Sequence, residues 1–243
     1  MRYLMKVSYD GSGFYGFQRL NDYRTVQKVL EEALGVINKG EVLVKGASRT
    51  DKGVHAYGQM IHFDIDYDIP ADRLMYAVNR ILDNDIRVLD CKKVGNDFHA
   101  RFNVKRKKYV YKINLGDFDC LKSRYFLQVY GKLDIDKMRE CAKVFLGCHD
   151  FRNFVAGERN NYLMCVEDIK FNMSNDILEI EFLGKSFYRY MVRNMVGAMI
   201  DVARGKHIIK EVEELLEKPE KKGQMMTASP NGLYLVCVYY TGG

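Results

Sequence analysis

Apolar positions along the chain fall into blocks whose period alternates between two residues and about 3.6, the signatures of strand and helix. "RYLMKVSYD" (2–10) predicts a first strand. In "TVQKVLEEALGVINKG" (25–40), Val26, Leu30, Leu34 and Ile37 recur at helical spacing, Thr25 stands where an N-cap belongs, and Gly40 lies just past the end. "EVLVKG" (41–46) reads as a short strand. "GQMIHFDIDY" (58–67) alternates, with Ile61, Phe63 and Ile65 on one face and His62 and Asp64 on the other. "PADRLMYAVNRIL" (70–82) opens with Pro70 in a first-turn position and continues as a helix, and "DIRVLDCKKV" (85–94) is a further strand. The order so far is β-α-β-β-α-β.

After "DFHARF" the alternation begins again. "RKKYVYKINL" (106–115) and "SRYFLQVYG" (123–131) predict strands, and "DIDKMRECAKVFLG" (134–147) a helix with Asp134 near its start and Gly147 at its end. "MCVEDIKFNMS" and "ILEIEFLG" predict a hairpin around "NDI". "FYRYMVRNMVGAMIDVARG" (187–205) is strongly periodic, with Met191, Met195, Met199 and Val202 on one stripe. "IIKEVEELLEK" (208–218) is a short helix and "GLYLVCVYY" (232–240) a buried strand. Both halves, 1–104 and 105–243, therefore read as ferredoxin-like β-α-β-β-α-β units. The expected class is α+β, the two halves joined edge to edge into one mostly antiparallel sheet with a central cleft.

Composition narrows this picture. The chain has 243 residues, 47% of them apolar, which is enough to bury a core and excludes a disordered chain. No N-terminal apolar segment resembles a signal peptide, and no apolar run reaches membrane-spanning length. The expectation is a cytoplasmic protein with no membrane association. The six cysteines contain no C-x-x-C pair, so free thiols are expected rather than disulfides. Cys148 and His149 are adjacent, but no second ligand pair has finger-like spacing, which favours a buried thiol over a metal site.

The formal charge is +6, and its distribution matters more than its sum. From Arg101 to Lys112, "RFNVKRKKYVYK" has six basic residues, Lys107 and Lys108 among them, and no acidic one. Basic residues interleaved with tyrosines suit a nucleic-acid backbone and unstacked bases; they also suit a solvated strand edge. Tyr109 shares a face with Tyr111 and is a candidate for base stacking or for the core. Arg189 and Arg193 lie four apart on a mostly apolar predicted helix. Either they are surface residues or, if buried, they need an anionic partner, for which Asp51 is a candidate.

Two glycine-bracketed stretches carry possible chemistry. "GSGFYG" (11–16) matches G-x-G-x-x-G after a strand, but the next helical pattern starts only near Thr25, so it lacks the helix N-terminus that a dinucleotide needs. In "GASRTDKGVHA" (46–56), an extended backbone turns Arg49 and Asp51 to one side and Thr50 to the other. Gly46 and Gly53 let the chain bend at both ends. Asp and Gly are also common turn residues. A carboxylate close to an arginine stays ionised at neutral pH, the state of a nucleophile or base.

"YDGSGFYGFQ", "GASRTDKGVHA", "DFHARF", "RKKYVYKI", "HDFRNF", "YRYMVRNMVG" and "GLYLVCVYY", in this order, resemble the tRNA pseudouridine synthase A family from end to end. The resemblance implies isomerisation of uridine to pseudouridine in the anticodon stem-loop of tRNA. It implies that Asp51 is the nucleophile, attacking at C1′ of the ribose or at C6 of the base. Arg49 would displace the base or hold its vacated place, and Arg193 would pair with Asp51. Tyr109 would stack on the flipped uracil, and Leu233 would supply an apolar wall. Lys107, Lys108 and Arg189 would bind substrate. No cofactor or metal is implied, and the family acts as a homodimer. The segment before "MCVEDIKF" lacks the Arg-Thr pair of the family pattern. A paralogue acting on another tRNA site or on ribosomal RNA, and a non-catalytic RNA-binding module, are the alternatives. The RNA-recognition signature is absent from "RKKYVYKI", and a nucleotide-dependent oxidoreductase rests on "GSGFYG" alone.

Overall fold

The computed structural model describes residues 1–218 and 225–240. Among them are ten strands and five α-helices, a mixed α+β architecture with mostly antiparallel pairing. The chain divides into two compact units, one of Met1–Lys105 together with the residues from Tyr234 onward, the other Arg106–Leu233. The sequence reading had kept 105–243 together.

In the first unit the order is β1 (Arg2–Tyr9), α1 (Val26–Asn38), β2 (Lys45–Gly46), β3 (His55–Asp64), α2 (Ala71–Ile81) and β4 (Ile86–Lys93). β1 pairs antiparallel with both β3 and β4, and β2 pairs antiparallel with β3. The last strand, β10 (Leu233–Tyr240), joins this unit because Tyr234 and Leu235 pair in parallel with His55 and Ala56 of β3. Ile61, Phe63 and Ile65 are buried as the alternation required, and so are Leu30 and Leu34 of α1 and Leu74 and Val78 of α2. Each such side chain contributes roughly 1.5–3 kcal/mol by leaving water.

α1 is held at its start by Thr25, whose hydroxyl accepts from the Lys28 N–H at 3.4 Å. At its end Lys39, not Gly40, takes the left-handed position, with φ 54°. His62, expected on the polar face, is buried, because its Nδ1 accepts the Ala100 N–H at 3.1 Å. The strand read at 41–46 shrinks to Lys45–Gly46.

The second unit runs through β5 (Val104–Asn114), β6 (Leu127–Gln128), α3 (Ile135–Val144), β7 (Gly147–Asp150), β8 (Leu163–Ser174), β9 (Ile177–Gly184), α4 (Met191–Ala203) and α5 (Ile209–Glu217). β5, β9, β8 and β7 lie in that order, each antiparallel to the next. The hairpin turns at Asn175, with φ 51°. Asp134 caps α3 by accepting from the Lys137 N–H at 3.1 Å. Met191, Met195, Met199 and Val202 are buried, and so is most of the rest of α4 around its girth.

Four expectations are corrected here. The strand read at 123–131 survives as two residues, because 119–126 closes in hydrogen-bonded turns onto Asp119 and Lys122. β7 has no counterpart in the periodicity reading, being only four residues long. α4 starts at Met191, not near Phe187, because Tyr190 is left-handed at φ 67° and breaks the helical path. Cys148 and Cys165 are disulfide-bonded, not free, because the β7–β8 register sets them directly opposite, and Cys148 is exposed, not buried.

Candidate active site

In the first unit, "GASRTDKGVHA" leaves β2, crosses a loop and enters β3 at His55. Thr50 points inward and is 7% exposed, whereas Arg49 is exposed and Asp51 half-buried, the alternation expected of an extended segment. The inward anchor is a polar cluster. The Thr50 hydroxyl shares a 2.8 Å hydrogen bond with the Tyr9 hydroxyl. Gln59 Nε2 donates to Ser48 O at 2.7 Å and to Tyr9 Oη at 3.4 Å, and Gln59 Oε1 accepts the Ser48 N–H at 3.2 Å. Burial pushes the Tyr9 phenol up to about 12, against the pull of its bonds to Thr50 and Gln59, so the group is a neutral hydroxyl at working pH. Gly53 turns the chain with φ 80°, and Val54 N–H closes that turn on Asp51 O at 3.1 Å. Gly46 lies within β2 against the Phe17 ring, so it makes room rather than a bend.

The "GSGFYG" stretch supports this loop from behind. Gly11–Gly13 forms a single 3-10 turn, and α1 begins far beyond it at Val26, so no helix N-terminus faces the glycines. Phe17 N–H donates to Thr50 O at 3.0 Å. Gly16 has φ 91°, and a Cβ there would lie 2.9 Å from Thr50 O; a Cβ on Gly11 would overlap the Val54 carbonyl. Both glycines are required because two backbones touch. Gly11 N–H also donates to His55 Nδ1 at 3.1 Å.

The remaining candidates belong to the second unit. Lys107, Lys108 and Tyr109 lie on β5. Lys107 and Tyr109 are each 5% exposed, and the Tyr109 ring packs edge-on against Phe187, with centroids 5.4 Å apart. Lys108 is ion-paired with Glu181 of β9 at 3.1 Å. Its neighbours on the basic strand are paired likewise, Arg106 with Glu167 at 2.6 Å and Lys112 with Glu179 at 3.0 Å. Both Glu179 and Glu181 come from β9, the strand paired along β5.

Arg189 precedes α4 rather than sharing a helical face with Arg193, a correction that follows from the left-handed Tyr190 between them. The structure still brings the two arginines together, on the Tyr190 ring, with their guanidinium carbons 4.9 and 4.7 Å from its centroid. Arg193 is fixed further by donating from Nε to Ala228 O at 2.7 Å, while Ala228 N–H donates to Arg193 O. Residues 226–228 lie flat on α4, where a Cβ on Gly197 would overlap the Met226 carbonyl. Tyr111 donates its hydroxyl to Ser229 O at 2.6 Å, and burial raises its pKa against the opposing charge of Arg193. Leu233 is buried at the start of β10.

Sequence reasoning passed over Tyr190 and the Tyr9–Thr50–Gln59 cluster. The only signal for Tyr190 is its place between two basic residues in "YRYMVR". Tyr9 and Thr50 are 41 residues apart, which no local pattern exposes. Among the described residues no three histidine, cysteine or carboxylate side chains gather as metal ligands, and no helix is long and apolar enough to cross a membrane.

The family model described as tRNA pseudouridine synthase matches residues 5–103 and 141–241. The chain belongs to the tRNA pseudouridine synthase family. Its curated relatives include proteins named tRNA pseudouridine synthase A. That of Pseudothermotoga lettingae is 40% identical over 98% of both chains. That of Lactobacillus helveticus is 37% identical over 98% of this chain and 94% of its own. That of Bacillus licheniformis is 37% identical over 99% of both. The matched regions contain Arg49, Asp51, Arg189, Arg193 and Leu233. They leave out 104–140, and with it Lys107, Lys108 and Tyr109.

Proposed function

We propose that this enzyme isomerises uridine to pseudouridine in the anticodon stem-loop of tRNA, with Asp51 as the nucleophile. The carrying observation is the Asp51 loop, a half-buried carboxylate beside an exposed Arg49 on a backbone fixed by Thr50, Gly16 and Gly53. The carboxylate attacks C1′ of the ribose or C6 of the base as the uracil separates. The base turns, a C5–C1′ bond replaces the N1–C1′ bond, C5 gives up its proton and N1 gains one, and the aspartyl bond is released. Atoms and oxidation state balance within the substrate.

In this reading Arg49 holds the place of the flipped base, Tyr109 stacks on the uracil and Arg193 is the counter-cation that keeps Asp51 ionised. Leu233 is an apolar wall, and Lys107, Lys108 and Arg189 contact RNA. Flipping is necessary because the reacting atoms are inaccessible within a stacked helix. The element order of the first unit and its neighbour order β4-β1-β3-β2 support a ferredoxin-like unit. A homodimer acting in the cytoplasm completes the proposal.

Both routes of attack lose the C5 hydrogen, so tritium release from tRNA carrying 5-tritiated uridine reads the reaction directly. Asp51→Asn is expected to abolish release while RNA binding persists. Release at the wild-type rate would refute the nucleophile. Binding of tRNA by the wild-type protein with no release at all would favour a non-catalytic RNA-binding module.

A further inference from the structure

The first unit carries an exposed aromatic stack immediately beside the Asp51 loop, and the roles assigned above leave it without a function. Tyr15 and Tyr23 lie ring on ring, with centroids 4.3 Å apart and planes 24° from parallel. Lys52, the residue after Asp51, holds its ammonium 3.8 Å from the Tyr15 centroid. Both rings are well exposed, Tyr15 at 43% and Tyr23 at 46%, so the stack adds little to the core. It is nevertheless held firmly from below. Tyr15 N–H donates to Arg24 O at 2.9 Å. Arg24 pairs with Asp85 at 2.7 Å and Asp83 at 2.9 Å and lies over the Phe14 ring at 4.1 Å. On the other side, Gly16 and Phe17 tie the segment to the backbone of Thr50.

A stacked tyrosine pair on a braced backbone, open to solvent and capped by a cation, has the chemistry of a nucleotide-stacking surface. Aromatic faces receive bases of any identity, and a lysine supplies charge to a phosphate. The reaction creates a need for such a surface. When a uridine is flipped, the neighbouring base loses a stacking partner, and a protein ring that replaces it lowers the cost of flipping. We propose that Tyr15, Tyr23 and Lys52 receive the strand adjoining the flipped uridine, the neighbouring base stacked on Tyr23 and a phosphate of the flanking backbone at Lys52. This inference rests on the pseudouridine synthase reading for the identity of the flipped base.

The test pairs protein and RNA changes. Dissociation constants by fluorescence anisotropy and rates by tritium release are measured for an anticodon stem-loop RNA. They are measured again for two RNAs in which the nucleotide 5′ or 3′ of the target is abasic. Tyr23→Leu is expected to weaken binding of the intact RNA by about 5- to 150-fold, the range for loss of one base–aromatic stack, with the melting temperature unchanged. Tyr23→Phe should restore it. One of the abasic RNAs should bind wild-type protein with the same loss, and Tyr23→Leu should then add little. A Tyr23→Leu effect below twofold, equal losses on all three RNAs, or no rescue by phenylalanine would overturn the proposal. So would an altered oligomeric state in sedimentation, which would assign the stack to a second copy of the chain. If wild-type protein binds without releasing tritium, the catalytic reading fails while the binding comparison still decides the stack. If it binds none of the RNAs, both fail.

Discussion

Replacing Thr50 by valine removes one oxygen from the support of the Asp51 loop and keeps the shape. The Thr50 hydroxyl and the Tyr9 hydroxyl are hydrogen-bonded at 2.8 Å, and the two residues are 7% and 5% exposed, so water cannot replace the lost partner. A buried hydroxyl left short of a partner costs about 1–3 kcal/mol. The Tyr9 side retains only the long 3.4 Å contact from Gln59. Thr50→Val should therefore lower stability by about 1–3 kcal/mol in urea denaturation. Tyr9→Phe alone should cost a similar amount. The double variant should cost clearly less than the sum, by about 0.5–3 kcal/mol, because no stranded hydroxyl remains. Gln59 is not stranded either, since its 2.7 Å bond to Ser48 O survives. Thr50 immediately precedes Asp51, so kcat in the tritium-release assay should fall about tenfold or more, a displacement well under 1 Å being enough, with KM within about twofold. Additive single effects, or a Thr50→Val variant within about 0.5 kcal/mol of wild type, would refute the claim that this bond holds the loop.

Three further outcomes follow from particular contacts. His62 is held near a pKa of about 4, first by burial and then by His99, whereas in the unfolded chain it has its ordinary value of about 6.5. Between those values the unfolded chain takes up a proton that the folded one does not. Stability complete above about pH 6.5 should thus be lost as the pH falls towards 4, and His62→Gln should flatten that slope in urea titrations. Gly197→Ala drives a methyl into the Met226 carbonyl and should destabilise the protein by roughly 1–3 kcal/mol in thermal unfolding. Because it also disturbs the Arg193–Ala228 bonds, kcat should drop. Glu181→Gln removes the carboxylate opposite Lys108, adding net positive charge to this face, and should tighten RNA binding and steepen its salt dependence, read from anisotropy titrations over a range of salt.

The longer elements were legible because their signals are local. The Thr25 and Asp134 caps, the α4 methionine stripe and the turn at Asn175 depend on residues within one or two helical turns or within one hairpin. The inward Thr50 and outward Arg49 and Asp51 followed from the two-residue period of extended chain. What failed depended on distant partners. The short β7 exists because β8 pairs with it, and the Cys148–Cys165 bond exists because that register sets the two residues opposite. In "GSGFYG" the glycines make room for the Thr50 and Val54 carbonyls, a requirement that joins segments some forty residues apart and leaves no periodic trace.

The basic run at 101–112 shows the same effect in electrostatics. Read along the chain it holds six cations and no anion, which invites the picture of a phosphate-binding strand. In the fold, Arg106, Lys108 and Lys112 each face a glutamate from β8 or β9, with Lys108 and Glu181 73 residues apart. A cation already paired with a carboxylate must give up that partner before it gains a phosphate, so it contributes less to counterion release than an exposed one. Much of the strand's charge is engaged within its own sheet, where Arg106, Lys108 and Lys112 carry ion pairs and Lys107, Tyr109, Val110 and Tyr111 are buried. Counting basic residues thus overstates how strongly this strand alone attracts RNA. An exposed cation held by an aromatic ring, such as Lys52 on Tyr15, keeps its charge available to a phosphate while remaining fixed in place.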